Sequence, residues 1–512
     1  MEHTLDEALL EESLAKVEQA RNWSPRLVSR LESTIRSGSD EDLFRLNPVQ
    51  WAQTRHVDEN EAIDLFLHSA KAGLFYMDWN VICPCCGKVM RSLRNLHGLR
   101  SRNVCTVCFR DDQATLDDYV QVTFTLSTAV RNLKYHSPET LTLEEYCFKY
   151  LFAGGGKYGP GGDMALVDFL KIAQQHFSTF SPGEKISIEL EVRPGLLFCS
   201  DLFSQKGFAF IVDGAPAAQT QSVPVKLSDA QFEVPLPEIQ PGEYRVAHKY
   251  MSSDFFYPLH TGKVVLELEQ CSAFKAGLIV WYADRQSIAG FPDITFQPCL
   301  SAKRLFACQT FHELFPSEVF QESQGFGVKD VSILFTDLQS STQLYNRIGD
   351  LNAYALVRAH YGVLSKAILN QHGAVVKTIG DAIMAAFTQP QEAVAAALEM
   401  LQELGQLNRT SQYGELVLKV GIHRGAAISV TLNGRLDYFG QTINIASRVQ
   451  GMAGGDEIFL TGEVYAAPGV PELLEQYQYQ AESMQMQLKG IAEPVKTYRV
   501  SALQEVAAAA PG

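Results

Sequence analysis

The chain has no stretch long and apolar enough to cross a bilayer, which takes roughly 18 to 20 uncharged apolar residues. Its longest apolar runs, such as Ala276–Ala283, are strand-length. A basic leader is also missing, because Glu2, Asp6, Glu7, Glu11 and Glu12 open the sequence with the wrong charge for a secretory signal. These absences predict a cytoplasmic protein with no membrane partner. Positive charge is in deficit: 43 Lys and Arg face 58 Asp and Glu, for a formal net charge of −15. A surface that binds nucleic acid or anionic lipid everywhere is therefore excluded, although a local basic patch is not. Ten cysteines in 512 residues are too few for a disulfide scaffold. The metal-like spacing of some of them fits a reducing compartment. Low complexity is confined to Ala507–Gly512, and no internal repeat is evident.

What is present reads as ordinary globular protein, 46% apolar and 20% charged. The length exceeds one hydrophobic core and predicts roughly three or four domains. The pattern divides as a helical region 1–75, a cysteine-bearing region 76–126, a helical connector and β-rich region 127–308, a linker 309–328, an α+β domain 329–502 and a disordered tail 503–512. Leu5, Leu9, Leu10, Leu14 and Val17 repeat at helical spacing. Alternating runs at Ile186–Val192, Gly207–Val212 and Val264–Leu268 predict an antiparallel β sandwich or barrel. Beyond residue 329 the order is a strand at Val331–Phe335, one long helix with Leu344, Ile348, Leu351, Ala355, Tyr361, Leu364 and Ile368 near one face, and two strands joined at Gly380-Asp381. A helix at Ala393–Leu404 and separate strands at Leu416–Ile422 and Ala427–Leu432 follow. That order predicts a ferredoxin-like α+β domain with its sheet covered on one face.

Asp337 lies just past a buried strand and Asp381 in the turn of the predicted hairpin. If the hairpin pairs beside that strand, both carboxylates emerge at one sheet edge. There they repel one another, hold divalent cations, or merely cap turns. Mg²⁺ prefers carboxylate and phosphate oxygens, so two Asp residues with a nucleoside triphosphate would complete a two-metal site.

Residues 329–502 closely resemble the catalytic domain of class III adenylate and guanylate cyclases. The matching segments are Leu334-Phe-Thr-Asp-Leu-Gln-Ser-Ser-Thr342, Val376-Lys-Thr-Ile-Gly-Asp-Ala-Ile-Met384, Gly421-Ile-His-Arg-Gly425 and Asp437-Tyr-Phe-Gly-Gln-Thr-Ile-Asn-Ile-Ala-Ser-Arg448. The resemblance implies that Asp337 and Asp381 bind two Mg²⁺ or Mn²⁺ ions and that the ribose 3′ oxygen attacks the α-phosphate with pyrophosphate leaving. Asn444 and Arg448 match the transition-state pair, and Lys377 and Asp437 match the base-reading positions. An ammonium can donate to adenine N1 and a carboxylate can accept from the 6-amino group, so ATP is the expected substrate. Cytosine presents the same edge, and guanylate cyclases carry Glu in place of Lys377. The late phosphate-contacting lysine matches Lys489, with Lys496 competing. Many members have Gly where this chain has Ser340. Class III domains work as head-to-tail pairs, which implies a homodimer with two equivalent sites, the acids of one subunit facing Lys377, Asp437, Asn444 and Arg448 of the other.

Cys83-Pro-Cys-Cys86 and Cys105-Thr-Val-Cys108 have the spacing of a zinc ribbon, with Cys83, Cys86, Cys105 and Cys108 as ligands to a structural Zn²⁺. Cys85 makes the first pair ambiguous, and His97 is a substitute candidate. Lys88, Arg91, Arg94, Arg100, Arg102 and Arg110 surround them with no acid from residue 88 to 110, which leaves a second reading open: a zinc-ribbon nucleic-acid or anion-binding protein whose cyclase domain senses nucleotide. A solvated face is favoured over that reading, and nucleic acid is not an expected partner. The loop Gly154–Gly162 fails as a phosphate loop because Tyr158 follows Lys157 where Ser or Thr is required. Cys147, Cys199, Cys271, Cys299 and Cys308 are expected to be buried. The region before residue 329, including Trp79, resembles the uncharacterised N-terminal regions of some bacterial cyclases. It is expected to regulate the enzyme through an unnamed ligand or protein.

Overall fold

The computed structural model describes residues 5–84, 86–105, 111–113, 115–117, 120–152, 156–158, 164–228, 232–233, 256–284, 295–410 and 415–502. They form two compact units. One is built from residues up to Leu300, and the other from Ser301 onward together with Asn95–Leu99 and Thr115–Asp117. No helix among the described residues is long and apolar enough to cross a membrane.

In the first unit, helices run over Glu7–Ala20, Leu27–Ser37, Pro48–Arg55 and Glu59–Lys71. Asp6 and Asp58 start two of them by accepting the backbone N–H of Leu9 and Glu61 at 3.0 and 2.8 Å, which satisfies donors the helix leaves unpaired. Leu10, Leu14 and Val17 are buried on the first. The strand Phe75–Ile82 lies between Val89–Leu93 and Val120–Leu126.

Further along the same unit, a five-stranded and a four-stranded sheet share one core, in which Leu197, Phe208, Phe210 and Val280 of one meet Ile188, Val223, Leu266 and Leu268 of the other. This is a sandwich. It is not purely antiparallel, because Lys206–Asp213 pairs with Phe256–His260, and Gln221–Leu227 with Gly262–Gln270, in parallel. Parallel neighbours cannot be joined by tight hairpins, and alternation along a strand carries no information on its partner's direction.

The second unit opens with β1 (Gly325–Leu338), α1 (Ser341–Ile348), α2 (Asp350–Asn370), β2 (Ala374–Ile379), β3 (Ala382–Phe387) and α3 (Pro390–Thr410). It continues with β4 (Leu418–Leu432), β5 (Arg435–Phe439), α4 (Gln441–Met452), β6 (Glu457–Thr461), α5 (Gly462–Tyr465), α6 (Val470–Gln476), β7 (Tyr479–Met486) and β8 (Val495–Ala502). The sheet order is β2-β3-β1-β4-β6-β8-β7, with β5 pairing β4. Its first four strands are antiparallel, in the ferredoxin-like order. Leu356 and Leu364 of α2 and Val394 and Leu398 of α3 pack on one face with Leu334, Ile383, Val420 and Leu460.

Four expectations are corrected. The long helix is two, broken at Gly349, whose φ of +77° no helix accommodates. Leu351, placed on the apolar face by its spacing, is 85% exposed beyond that break. The two strands proposed for Leu416–Ile422 and Ala427–Leu432 are one continuous β4, because Gly425 lets the backbone run on where Thr442 approaches. The sheet is covered on both faces: Ile458 and Leu460 join the α2–α3 core while Phe459, pointing the other way, packs with Val449 and Ala453 at the end of α4. The stretch 309–328 carries a helix at Gln309–Leu314 and buries Phe311, Phe320 and Phe326.

Candidate active site

Strand β1 is the axis of the site. Asp337 sits at its C-terminal end opposite Lys419 of β4. The β2–β3 hairpin is locked to β1 by the Ile383 N–H, which donates to Thr336 Oγ1 at 3.0 Å. Gly380, at φ +64°, makes the turn that delivers Asp381. The two acids meet here: burial pushes the Asp337 carboxyl up, and the neighbouring Asp381 charge adds to it, against Lys419, the Leu338 N–H and the Gln450 amide. Asp381 Oδ2 is buried and completes no hydrogen bond with the described residues. Two converging carboxylates with an orphaned buried oxygen suit a hard divalent cation, which takes oxygen ligands and offsets their repulsion. The residues present fit a Mg²⁺ or Mn²⁺ site.

A second grouping joins β2 to β5. Lys377 Nζ donates to Asp437 Oδ2 at 2.6 Å, and Asp437 Oδ1 accepts the Tyr438 N–H at 2.7 Å. Asp437 is buried while the Lys377 side chain is 36% exposed, so the pair presents its cationic end to solvent.

The third grouping lies on α4. Thr442, Ala446 and Val449 are buried, which leaves Asn444 exposed and Arg448 half-buried. Arg448 Nη1 is buried and completes no hydrogen bond with the described residues. Gly490, at φ +74°, presses against this guanidinium, and a Cβ there would lie 3.2 Å from Nη1. Lys489, exposed, directly precedes that glycine, whereas Lys496 Nζ stands 5.2 Å over the Tyr498 ring, itself stacked on Tyr465. Helix α4 is held close to β4 because Gly421 has no side chain: a Cβ would fall 2.1 Å from the Gln450 backbone N. Ser340 adopts φ +58°, the left-handed conformation in which glycine is unstrained.

Sequence reasoning passed over His360 and read Tyr361 as core. His360 is fully buried on α2 and Tyr361 donates its hydroxyl to the Gly380 carbonyl. A histidine in an otherwise apolar helix face was the available signal.

In the first unit Cys83, Cys86 and Cys105 are buried with their sulfurs within 4.8 Å of one another, Cys86 and Cys105 at 3.5 Å. The Cys83–Gly87 turn closes through the Gly87 N–H donating to the Cys83 carbonyl at 2.8 Å. Cys85, Cys108 and Arg110 lie outside the described residues. His97 lies in the short turn Leu96–Gly98 and is not among the three. The basic cluster is not one solvated face: Lys88 is 1% exposed, and Arg94 binds Asp78 at 3.0 Å and covers the Tyr76 ring. Of the scattered cysteines, Cys147 and Cys199 are buried, Cys299 and Cys308 partly so, and Cys271 is exposed, on the turn after a strand end.

Two family models match this chain: residues 10–258 match a family of unknown function (DUF5939), and residues 325–502 match the adenylate and guanylate cyclase catalytic domain. An adenylate cyclase of Anabaena cylindrica is 29% identical over 187 residues, covering 34% of this chain and 37% of that protein. The receptor-type adenylate cyclase GRESAG 4.2 of Trypanosoma brucei brucei is 27% identical over 214 residues, 34% of this chain and 36% of its own length. The chain thus spans little more than a third of either relative. Among solved structures, a monomeric adenylate cyclase of Trypanosoma brucei is 25% identical, with a TM-score of 0.29, over 34% of this chain and 90% of that one. The adenylyl cyclase CyaB of P. aeruginosa is 22% identical, with a TM-score of 0.30, over 36% and 98%. Residues 325–502 are a catalytic domain of the class III adenylate and guanylate cyclase family.

Proposed function

We propose that this chain converts ATP to 3′,5′-cyclic AMP and pyrophosphate, as a homodimer under the control of its N-terminal region. The observation that carries this reading is the convergence of Asp337 and Asp381, with Asp381 Oδ2 left without a partner among the described residues. Mg²⁺ or Mn²⁺ held there would lower the pKa of the ribose 3′ hydroxyl and offset charge on the departing pyrophosphate. The protein's own contribution is positioning and fixed charge. Lys377 donates to adenine N1 while Asp437 accepts from the 6-amino group, and their ion pair fixes the two groups side by side before the base arrives. Guanine would set its O6 against the Asp437 carboxylate, an acceptor facing an acceptor. Arg448 has a donor that no described residue occupies, available to an α-phosphate oxygen, and Asn444, one helical turn earlier, orients the ribose. Lys489, next to the glycine that touches Arg448, serves the triphosphate better than Lys496, which is engaged with Tyr498.

Pairing is supported by exposed apolar side chains around the base-reading strands: Ile379 of β2, Ile428 and Leu432 of β4 and Phe439 of β5, the last 70% exposed and directly across from Ile428. Large apolar groups left in water at one place favour burial against a second copy. The three converging cysteines, with Cys108, form a thiolate set for a structural Zn²⁺. Burial of Lys88 and the engagement of Arg94 weigh against a nucleic-acid surface there.

The test is incubation of the full chain with ATP, GTP or CTP and either Mg²⁺ or Mn²⁺, with products separated by chromatography. Cyclic AMP is the expected main product. Cyclic GMP or cyclic CMP in its place would overturn the base assignment, and no cyclic nucleotide under any condition would overturn the catalytic reading.

A further inference from the structure

Helix α2 sets two polar side chains against the Gly380–Asp381 turn. The Tyr361 hydroxyl donates to the Gly380 carbonyl. The fully buried His360 ring lies beside Asp381, interacting with its backbone and its carboxylate. Neither His360 ring nitrogen completes a hydrogen bond of good geometry with the described residues. A buried polar group without a full partner is destabilising. The neighbouring inward positions Leu356, Val357 and Leu364 are purely apolar, and an apolar residue at 360 would avoid that cost. Such costs persist where a site requires them.

The requirement is visible in the turn. Gly380 sits at φ +64° with nothing within 4 Å of where a Cβ would be, so its own packing does not hold the turn. Asp337 and Asp381 carry like charges close enough to interact. The direction of the Asp381 carboxylate is then set by whatever grips the backbone on either side of its Cα. Tyr361 grips Gly380 and His360 backs Asp381.

On the metal-binding reading of Asp337 and Asp381, the geometry points to His360 and Tyr361 as positioning residues that hold Asp381 beside Asp337 in metal-binding geometry. Neither touches substrate or metal. Such supporting partners change metal affinity by about 10- to 100-fold when removed.

The experiment uses the full chain as wild type, Tyr361→Phe, His360→Asn and Asp381→Ala. Binding of Mn²⁺ is titrated by electron paramagnetic resonance with α,β-methylene-ATP present, and thermal melting is followed in parallel. Tyr361→Phe removes only an exposed hydroxyl and is expected to weaken Mn²⁺ about tenfold with little change in melting. The Mg²⁺ concentration giving half-maximal turnover should rise in step, with kcat at saturating metal near wild type. His360→Asn is expected to weaken Mn²⁺ as well. If that variant does not fold, Tyr361→Phe alone decides. Wild-type Mn²⁺ affinity in Tyr361→Phe, with affinity lost in Asp381→Ala, would overturn the positioning role alone. Wild-type affinity in Asp381→Ala as well would mean that the metal assignment itself is wrong.

Discussion

Single residues divide into those whose task depends on their type and those whose task depends on their neighbours. Asp337, Asp381, Lys377 and Arg448 stand out in the sequence because the segments that carry them resemble the cyclase motifs, whereas the spacing of the two acids alone leaves cation binding and turn capping both open. The Asp330–Arg424 pair does not, yet it clips β1 to β4 through hydrogen bonds from Arg424 Nε at 2.7 and 2.9 Å. Burial pushes the Asp330 carboxyl up, and Arg424 outweighs it by hydrogen bonding and charge, so it titrates below its ordinary 3.8. A carboxyl with a lowered folded pKa stabilises the fold above its unfolded pKa and loses that contribution as pH falls through the folded value. Asp330→Asn should therefore cost up to about 1 kcal/mol at pH 7, the pair being partly exposed, and the deficit should shrink below pH 3.8. Denaturant midpoints of both proteins across that range check this, and a deficit independent of pH would contradict it. His360 escaped notice for the complementary reason: its type suggests little, and only the turn it supports gives it meaning.

Elements were legible where a period or a glycine marks them. A short buried-type apolar run located β1, and the Gly380-Asp381 dipeptide located the β2–β3 turn, because a reversal needs a residue that accepts positive φ. The break at Gly349 and the close passage of α4 over Gly421 were not legible, since one glycine letter serves a kink, a turn or an approach of two backbones alike. The cysteine turn is the intermediate case. Its spacing suggests a metal, and folding brings Cys83, Cys86 and Cys105 within 4.8 Å. The expected content is one zinc per chain by mass spectrometry, lost together with several degrees of melting temperature on chelation. Metal-free protein that melts as the isolated preparation does would refute structural zinc.

At the scale of the molecule, the proposed site is shared between two copies, and this is open to a direct test. Asp381→Ala and Arg448→Ala should each be inactive alone. If the acids and the arginine of one site come from different subunits, random mixing makes half of the dimers hybrid, each with one intact site. Activity should then recover to about a quarter of wild type. No recovery, with subunit exchange demonstrated by labelling, would exclude a site that spans the dimer.

The sequence by itself determined the resemblance of the C-terminal domain to the cyclase catalytic domain, through four motifs in the family's order. A motif match depends on residue identity and spacing along the chain, which folding does not alter, and local periodicity places those residues near strand ends and on one helix face. Tertiary structure alone decided what each group answers to. It set Asp381 beside Asp337 with one oxygen unpartnered among the described residues, paired Lys377 with Asp437, laid Gly490 against Arg448 and put His360 and Tyr361 under the turn. Those contacts join residues from 19 to 60 positions apart in the two hydrogen-bonded cases. The energies that select them, desolvation and Coulomb interaction, depend on distance in space, which a one-dimensional pattern does not carry.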